Sequence, residues 1–162
     1  MRISVALLAA LAAVTLASPA QAQVSFGGVA AFHDDFDLGL GPQVSFPVED
    51  LHERVRAQGE FLWFFPGDGL DYFEINGNLL YDLELEDQPF TPFLLGGLNI
   101  ARISLDSESP GFDGSSTEVG LNLGGGLTFA TEGSLRPSVG ARIELSGGEG
   151  LVLFGSFLVG GG

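Results

Sequence analysis

The chain of 162 residues has no cysteine and no lysine. Without cysteine it can build neither a disulfide scaffold nor a thiolate metal site. Its 6 basic residues, all arginine, face 21 acids for a formal charge of −15, so it lacks the clustered cations that binding a phosphate backbone requires. Nucleic acid is excluded as a partner. Charged residues are also scarce, at 17% against 45% hydrophobic, which excludes a long disordered acidic tail. The length allows one domain.

Long apolar runs are absent too, apart from one at the start. Arg2 precedes the Ala- and Leu-rich run Ile3 to Ala17, and Ser18-Pro19-Ala20-Gln21-Ala22 carries the small-x-small pattern that signal peptidase reads. Cleavage is expected after Ala22, dividing the chain into a signal peptide, 1–22, and one domain, 23–162. The run is shorter than the ~20 residues of a spanning helix, and no cysteine follows it to carry a lipid anchor. Cleavage removes one arginine and neither an acid nor a glycine, so the mature chain is more acidic, and glycine rises to about 18% against an average near 7%. Its longest uncharged stretches, such as Gln88 to Ala101 and Val119 to Thr131, are glycine-interrupted and too short to cross a bilayer as helices.

What the mature chain does have is period two. In Leu51 to Phe65 the odd positions include Val55, Ala57, Phe61 and Trp63, while the even ones include His52, Arg54, Arg56, Gln58 and Glu60. In Asp71 to Leu85, Phe73, Ile75, Leu79 and Tyr81 oppose Glu74, Asn76, Asn78, Asp82 and Glu84. Val119 to Phe129 and Leu135 to Leu145 alternate likewise, and Val24 to Phe32, Leu40 to Phe46 and Leu151 to Val159 do so more weakly. In Phe90 to Leu105 the polar residues Asn99 and Arg102 have opposite parity, which predicts a bulge or a change of face. Alternation of this kind is the signature of half-buried strands. Eight are expected, joined by His33 to Gly39, Pro47 to Asp50, Pro66 to Leu70, Glu86 to Pro89, Asp106 to Ser116, Ala130 to Ser134 and Ser146 to Gly150, each with turn residues.

Alternation alone does not say which face meets water. A soluble barrel turns its apolar face inward, a bilayer-spanning barrel outward. Three features favour the bilayer. The polar faces hold Asn, Gly, Ser and Gln with a balanced set of Arg and Glu, as suits a narrow hydrogen-bonded lumen. The apolar faces carry no charge at their centres, Glu53 and Asp71 lying near strand ends. Aromatics gather at strand ends, with Phe61, Trp63, Phe64, Phe65, Tyr72 and Phe73 at one connection and Tyr81, Phe90 and Phe93 at the next, as in interfacial girdles. The alternative for the aromatics is core packing.

The segments Asp71-Tyr72-Phe73-Glu74-Ile75-Asn76-Gly77-Asn78-Leu79-Leu80-Tyr81, Thr91-Pro92-Phe93-Leu94-Leu95-Gly96-Gly97-Leu98 and Glu118-Val119-Gly120-Leu121-Asn122-Leu123-Gly124-Gly125-Gly126 carry a further pattern. On them the mature chain resembles the small OmpA/OmpX-type outer-membrane β-barrel families, the group of outer membrane protein β-barrel domain proteins. The resemblance implies an all-β, eight-stranded antiparallel up-and-down transmembrane β-barrel in the outer membrane of a Gram-negative-type bacterium. It also implies outer-membrane lipid and the barrel assembly machinery as partners, and a monomer. Such barrels usually end on an aromatic residue, whereas this chain ends Phe157-Leu158-Val159-Gly160-Gly161-Gly162, which leaves Phe157, one step inward, to serve that recognition.

In an eight-stranded barrel side chains fill the interior. If even positions point inward, Arg54, Arg56, Glu60, Glu74, Asp82, Glu84, Arg136, Arg142 and Glu144 share one lumen and pair as a structural network, because unpaired charges there are costly and paired ones block the passage. With the first strand starting at the periplasm, the long connection Asp106 to Ser116 falls outside, where long loops belong. Asp34, Asp35 and Asp37 make the first loop acidic, but no spacing matches a calcium-binding loop. No catalytic residue and no cofactor is expected. The histidines are His33 and His52, neither with a serine placed for activation, and His33-Asp34-Asp35 is the one cluster worth testing. The expected role is structural or surface interaction; the alternatives are a soluble periplasmic barrel holding a small apolar ligand, a narrow pore, and a lipid-modifying enzyme.

Overall fold

The computed structural model describes residues 24–65, 70–105, 115–145 and 149–160. The expected signal peptide and cleavage point, and most of the connections 66–70, 106–116 and 146–150, lie outside the described residues. Eight strands follow in chain order: β1 Ser25–His33, β2 Asp37–Pro47, β3 Val55–Phe64, β4 Leu70–Asp82, β5 Phe90–Leu105, β6 Ser115–Phe129, β7 Leu135–Leu145 and β8 Gly150–Val159. Each pairs antiparallel with its sequence neighbour, and β8 closes on β1, so no edge is left to pair with another chain.

A row of paired residues starting at Pro47 in β2 runs through Arg56, Leu80, Leu95, Gly124, Arg142, Val152 and His33, and returns to β2 at Asp37, ten residues from its start. That stagger tilts the strands and sets the barrel radius. It also places His33 and Arg142 in one row with Val152 between them, which matters for the lumen.

Inward positions are odd in β1, β2 and β5 and even in β3, β4, β6, β7 and β8. The expected bulge in β5 is not there: its registers with β4 and β6 run unbroken. Asn99 points inward, fully buried, and Arg102 points outward near the loop end, paired with Phe73 and Thr117. Arg102 is thus an outward charge near a strand end, not a sign of changed parity. The third strand starts later than its pattern suggests. Val48 accepts hydrogen bonds from the backbone N–H of Leu51 (3.0 Å) and His52 (3.2 Å), and His52 from that of Val55 (3.0 Å), which folds 48–54 into a compact turn. The first hairpin is tighter than expected, leaving only 34–36 between β1 and β2, with Asp37 at φ 61°.

The outward wall is apolar. Leu40, Ile75, Leu79, Leu98, Leu121, Leu123, Val139, Ile143 and Leu153 are among its exposed side chains. Exposed aromatics stand near both ends, Phe32, Trp63 and Phe65 towards the 34–36 hairpin and Phe26, Tyr81, Phe129 and Phe157 towards the chain termini. A water-soluble barrel would have the reverse polarity.

Candidate functional site

The lumen is where the polar residues went. Arg142 on β7 donates through Nε to Glu144 Oε1 (2.8 Å), through Nη2 to Glu74 Oε2 on β4 (3.1 Å) and through Nη1 to Glu60 Oε1 on β3. The four side chains are at most 1% exposed. Uncompensated charge in such a setting is strongly unfavourable, so the geometry around each carboxylate decides whether the cluster is tolerated. Here every carboxylate oxygen accepts a hydrogen bond: Gln58 Nε2 reaches Glu60 Oε2 (3.3 Å), the Tyr72 hydroxyl Glu74 Oε1 (2.6 Å), Asn76 Nδ2 Glu74 Oε2 (3.2 Å) and Asn99 Nδ2 Glu144 Oε2 (3.0 Å). Asn122 Nδ2 then bonds Asn76 Oδ1 (2.8 Å) and Asn78 Oδ1 (3.0 Å), joining β6 to β4.

Inward glycines make the space. A Cβ at Gly126 would meet the Phe93 ring (2.6 Å) and one at Gly140 the Phe154 ring (2.5 Å), so these two positions admit the inward phenylalanines below the charged layer.

No family model and no curated protein matches the chain in sequence. Solved structures do. The N-terminal β-barrel domain of Pseudomonas aeruginosa OprF superposes with a TM-score of 0.69 at 13% identity, covering 87% of this chain and 98% of that one. Neisserial surface protein A (NspA) gives 0.61 at 18% identity, covering 85% and 95%. The chain has the fold of the small eight-stranded outer-membrane barrels. At these identities the likeness shows the fold of this barrel and not its task.

Of the nine charged residues read from the sequence of this barrel, Glu60, Glu74, Arg142 and Glu144 converge in the buried layer. Arg56 and Asp82 form a separate bidentate pair nearer the chain termini, with Nε–Oδ2 and Nη2–Oδ1 both 3.0 Å, while Arg56 also reaches Thr128 Oγ1 (3.2 Å) and lies over the Phe93 ring. Arg54 and Glu84 sit outside the strands, in an exposed rim pair at 2.7 Å. Exposed pairs of this kind contribute little to stability. Arg136 lines the mouth beside Arg56 and Asp82 and is not part of the buried layer. One network over all nine residues is therefore corrected to a buried quartet, an inner pair, a rim pair and a mouth arginine, because Arg54 and Glu84 lie beyond the strand ends. The residues missed were the amides Gln58, Asn76, Asn99 and Asn122 and the hydroxyl of Tyr72, which complete the quartet; their signal was inward parity.

The opposite end of the lumen closes on aromatics. His33 is fully buried, with its ring 4.8 Å from Phe36, 5.9 Å from Phe64 and 6.1 Å from Tyr72, and Phe36 stacks on Tyr72 at 3.8 Å. Phe64, Tyr72 and Phe93 are consequently lumen residues, correcting their expected place in an outer girdle, while Trp63, Phe65 and Tyr81 do face outward. In the His33-Asp34-Asp35 cluster the ring turns inward and the two carboxylates outward. His33 Nδ1 accepts the Asp35 backbone N–H at 3.0 Å and lies 3.3 Å from Asp34 Oδ1.

Proposed function

We propose that this chain is an outer-membrane barrel with a structural or surface-interaction role, whose lumen is a plug and whose loops determine what it touches. The observation that carries the reading is the buried layer: among the described residues, Leu62, Tyr72, Glu74, Arg142, Glu144 and Val152 are all at most 1% exposed, which supports a lumen filled by side chains at this level. An ion crossing this layer would have to break the Arg142 pairs in a low-dielectric setting, at a cost of several kcal/mol. The apolar outer wall with aromatics near both ends supports a bilayer as its surroundings. Neisserial surface protein A, by its name a surface protein, has the same fold, in keeping with a role at the cell surface.

In this reading the barrel works as a monomer with lipid around it, is inserted by the barrel assembly machinery, and performs no catalysis. His33, enclosed by three aromatic rings, is not presented to a substrate, and the exposed His52 is engaged by the Arg54 backbone N–H at 3.1 Å. The test is the mature chain refolded in detergent and reconstituted into planar bilayers. A heat-modifiable, detergent-requiring form without steady single-channel conductance is expected. Large steady conductance would overturn the plug, and a form soluble without detergent would overturn the membrane assignment.

A further inference from the structure

The buried layer is rich in acids. Among the described residues, Glu60, Glu74 and Glu144 share one guanidinium, so before His33 is counted, ionised carboxylates carry two negative charges in excess of Arg142 at positions at most 5% exposed. Hydrogen bonds from amides and a phenol orient these carboxylates but add no positive charge. The Arg56–Asp82 pair is neutral as a unit and lies elsewhere.

His33 stands on the other side of the same layer. It shares a row with Arg142, and one donor atom each of His33, Glu74 and Glu144 lie within 4.8 Å of one another. An imidazole nitrogen with two carboxylate oxygens is a donor set for a divalent first-row transition cation, which binds nitrogen and oxygen at about 2.0–2.2 Å. We propose that His33, Glu74 and Glu144 bind one such cation, Zn2+ serving as the probe, at the hairpin end of the lumen. With a neutral imidazole, two positive charges bring the layer to zero.

The surroundings meet the further requirements of a metal site. Glu74 Oε1 and Glu144 Oε2 accept hydrogen bonds from Tyr72 and Asn99, which fix their orientation, and the two carboxyl groups are hydrogen-bonded to each other, so an ion would take the place of the proton between them. Asn99 Oδ1 is itself buried without a hydrogen-bond partner, a neutral oxygen on the residue that holds Glu144. Because Nδ1 accepts the Asp35 N–H, the proton of the neutral ring is on Nε2. Binding an ion at Nε2 moves that proton to Nδ1, which gives up the Asp35 N–H bond and donates instead to Asp34 Oδ1, at 3.3 Å. A carboxylate behind a ligating histidine is the usual support of such sites. Gly150 packs against the ring so closely that any Cβ there would collide with it, which holds the imidazole in place.

The experiment is to refold the mature chain in detergent with equimolar Zn2+, exchange away free metal, and measure bound zinc by mass spectrometry against a metal-free refolding. Folding is read from the gel shift between unheated and heated samples. One zinc per folded chain is expected, with a raised unfolding midpoint, and Co2+ in its place should give visible d–d absorption. His33→Gln and Glu144→Gln should each lose stoichiometric metal, and Asp35→Asn should keep it. Absence of bound zinc in the wild-type chain would overturn the proposal. Retention by Glu144→Gln would do so as well, and loss in Asp35→Asn would put the ion on the exposed rim cluster instead. Should a variant fail to fold, the wild-type stoichiometry together with Glu74→Gln decides the matter.

Discussion

Arg142 on β7 and Glu74 on β4 meet at 3.1 Å inside a closed sheet, although they are 68 residues apart and their strands are not neighbours. Arg142 is the common partner of three carboxylates from three strands, so the stability of the lumen depends on it more than on any one acid.

Replacing Arg142 by Leu should therefore destabilise the folded barrel by about 3–5 kcal/mol, since three buried carboxylates lose their counter-charge. Combining it with Glu60→Gln, Glu74→Gln and Glu144→Gln should restore much of the loss. Urea titration followed by the gel shift of the folded form measures both. Equal stability of Arg142→Leu and wild type would show that the pairs do not hold the lumen together.

Tyr72→Phe removes a 2.6 Å hydrogen bond to Glu74 Oε1 while keeping the ring stacked on Phe36. A bond to a charged acceptor contributes about 1.5–3 kcal/mol, and a loss of that size is expected in the same titration. A Tyr72→Leu variant should lose more, because the stacking goes as well.

Gly140→Ala should cost about 1–3 kcal/mol through overpacking against the Phe154 ring at 2.5 Å and the Gly125 carbonyl oxygen at 2.6 Å. Adding Phe154→Leu should recover part of it, since the smaller side chain gives way to the new methyl group. Additive losses in the double variant would refute the contact.

Leu123 faces outward in the middle of β6, paired with Gly96 and Ile143. Leu123→Arg should destabilise the barrel in lipid vesicles by about 2–4 kcal/mol, the penalty for a charge at the bilayer midplane. Thr117→Arg, in the row of the natural Arg102 near the loop end, should cost at most about 1 kcal/mol. If the two cost the same, the outward wall is not immersed in a bilayer.

Much of this was legible in single segments. The alternation of Asp71 to Leu85 and of Leu135 to Leu145 gave strands with nearly the observed limits, and the inward parity of Glu74, Arg142 and Glu144 followed from it. Where a strand stops was less legible. Leu51 and Glu53 continue the alternation of β3 by coincidence, and the turn hydrogen bonds of Val48 and His52 take them out of the sheet. The aromatic positions misled for a related reason: Phe64 and Tyr72 lie at strand ends, but whether a ring there points into lipid or into the lumen depends on parity and not on closeness to a turn.

By itself the sequence determined the number of strands and which residues of a strand share a face, because these follow from period two and local turn chemistry; their antiparallel order was what the family resemblance implied. Which charges meet was decided by the tertiary structure alone. Closing eight strands with a stagger of ten residues brings β7 to β3 and β4 across the lumen and lifts His33 beside the carboxylates. That stagger is a property of the closed ring, set by the sum of eight registers, and no single strand carries it.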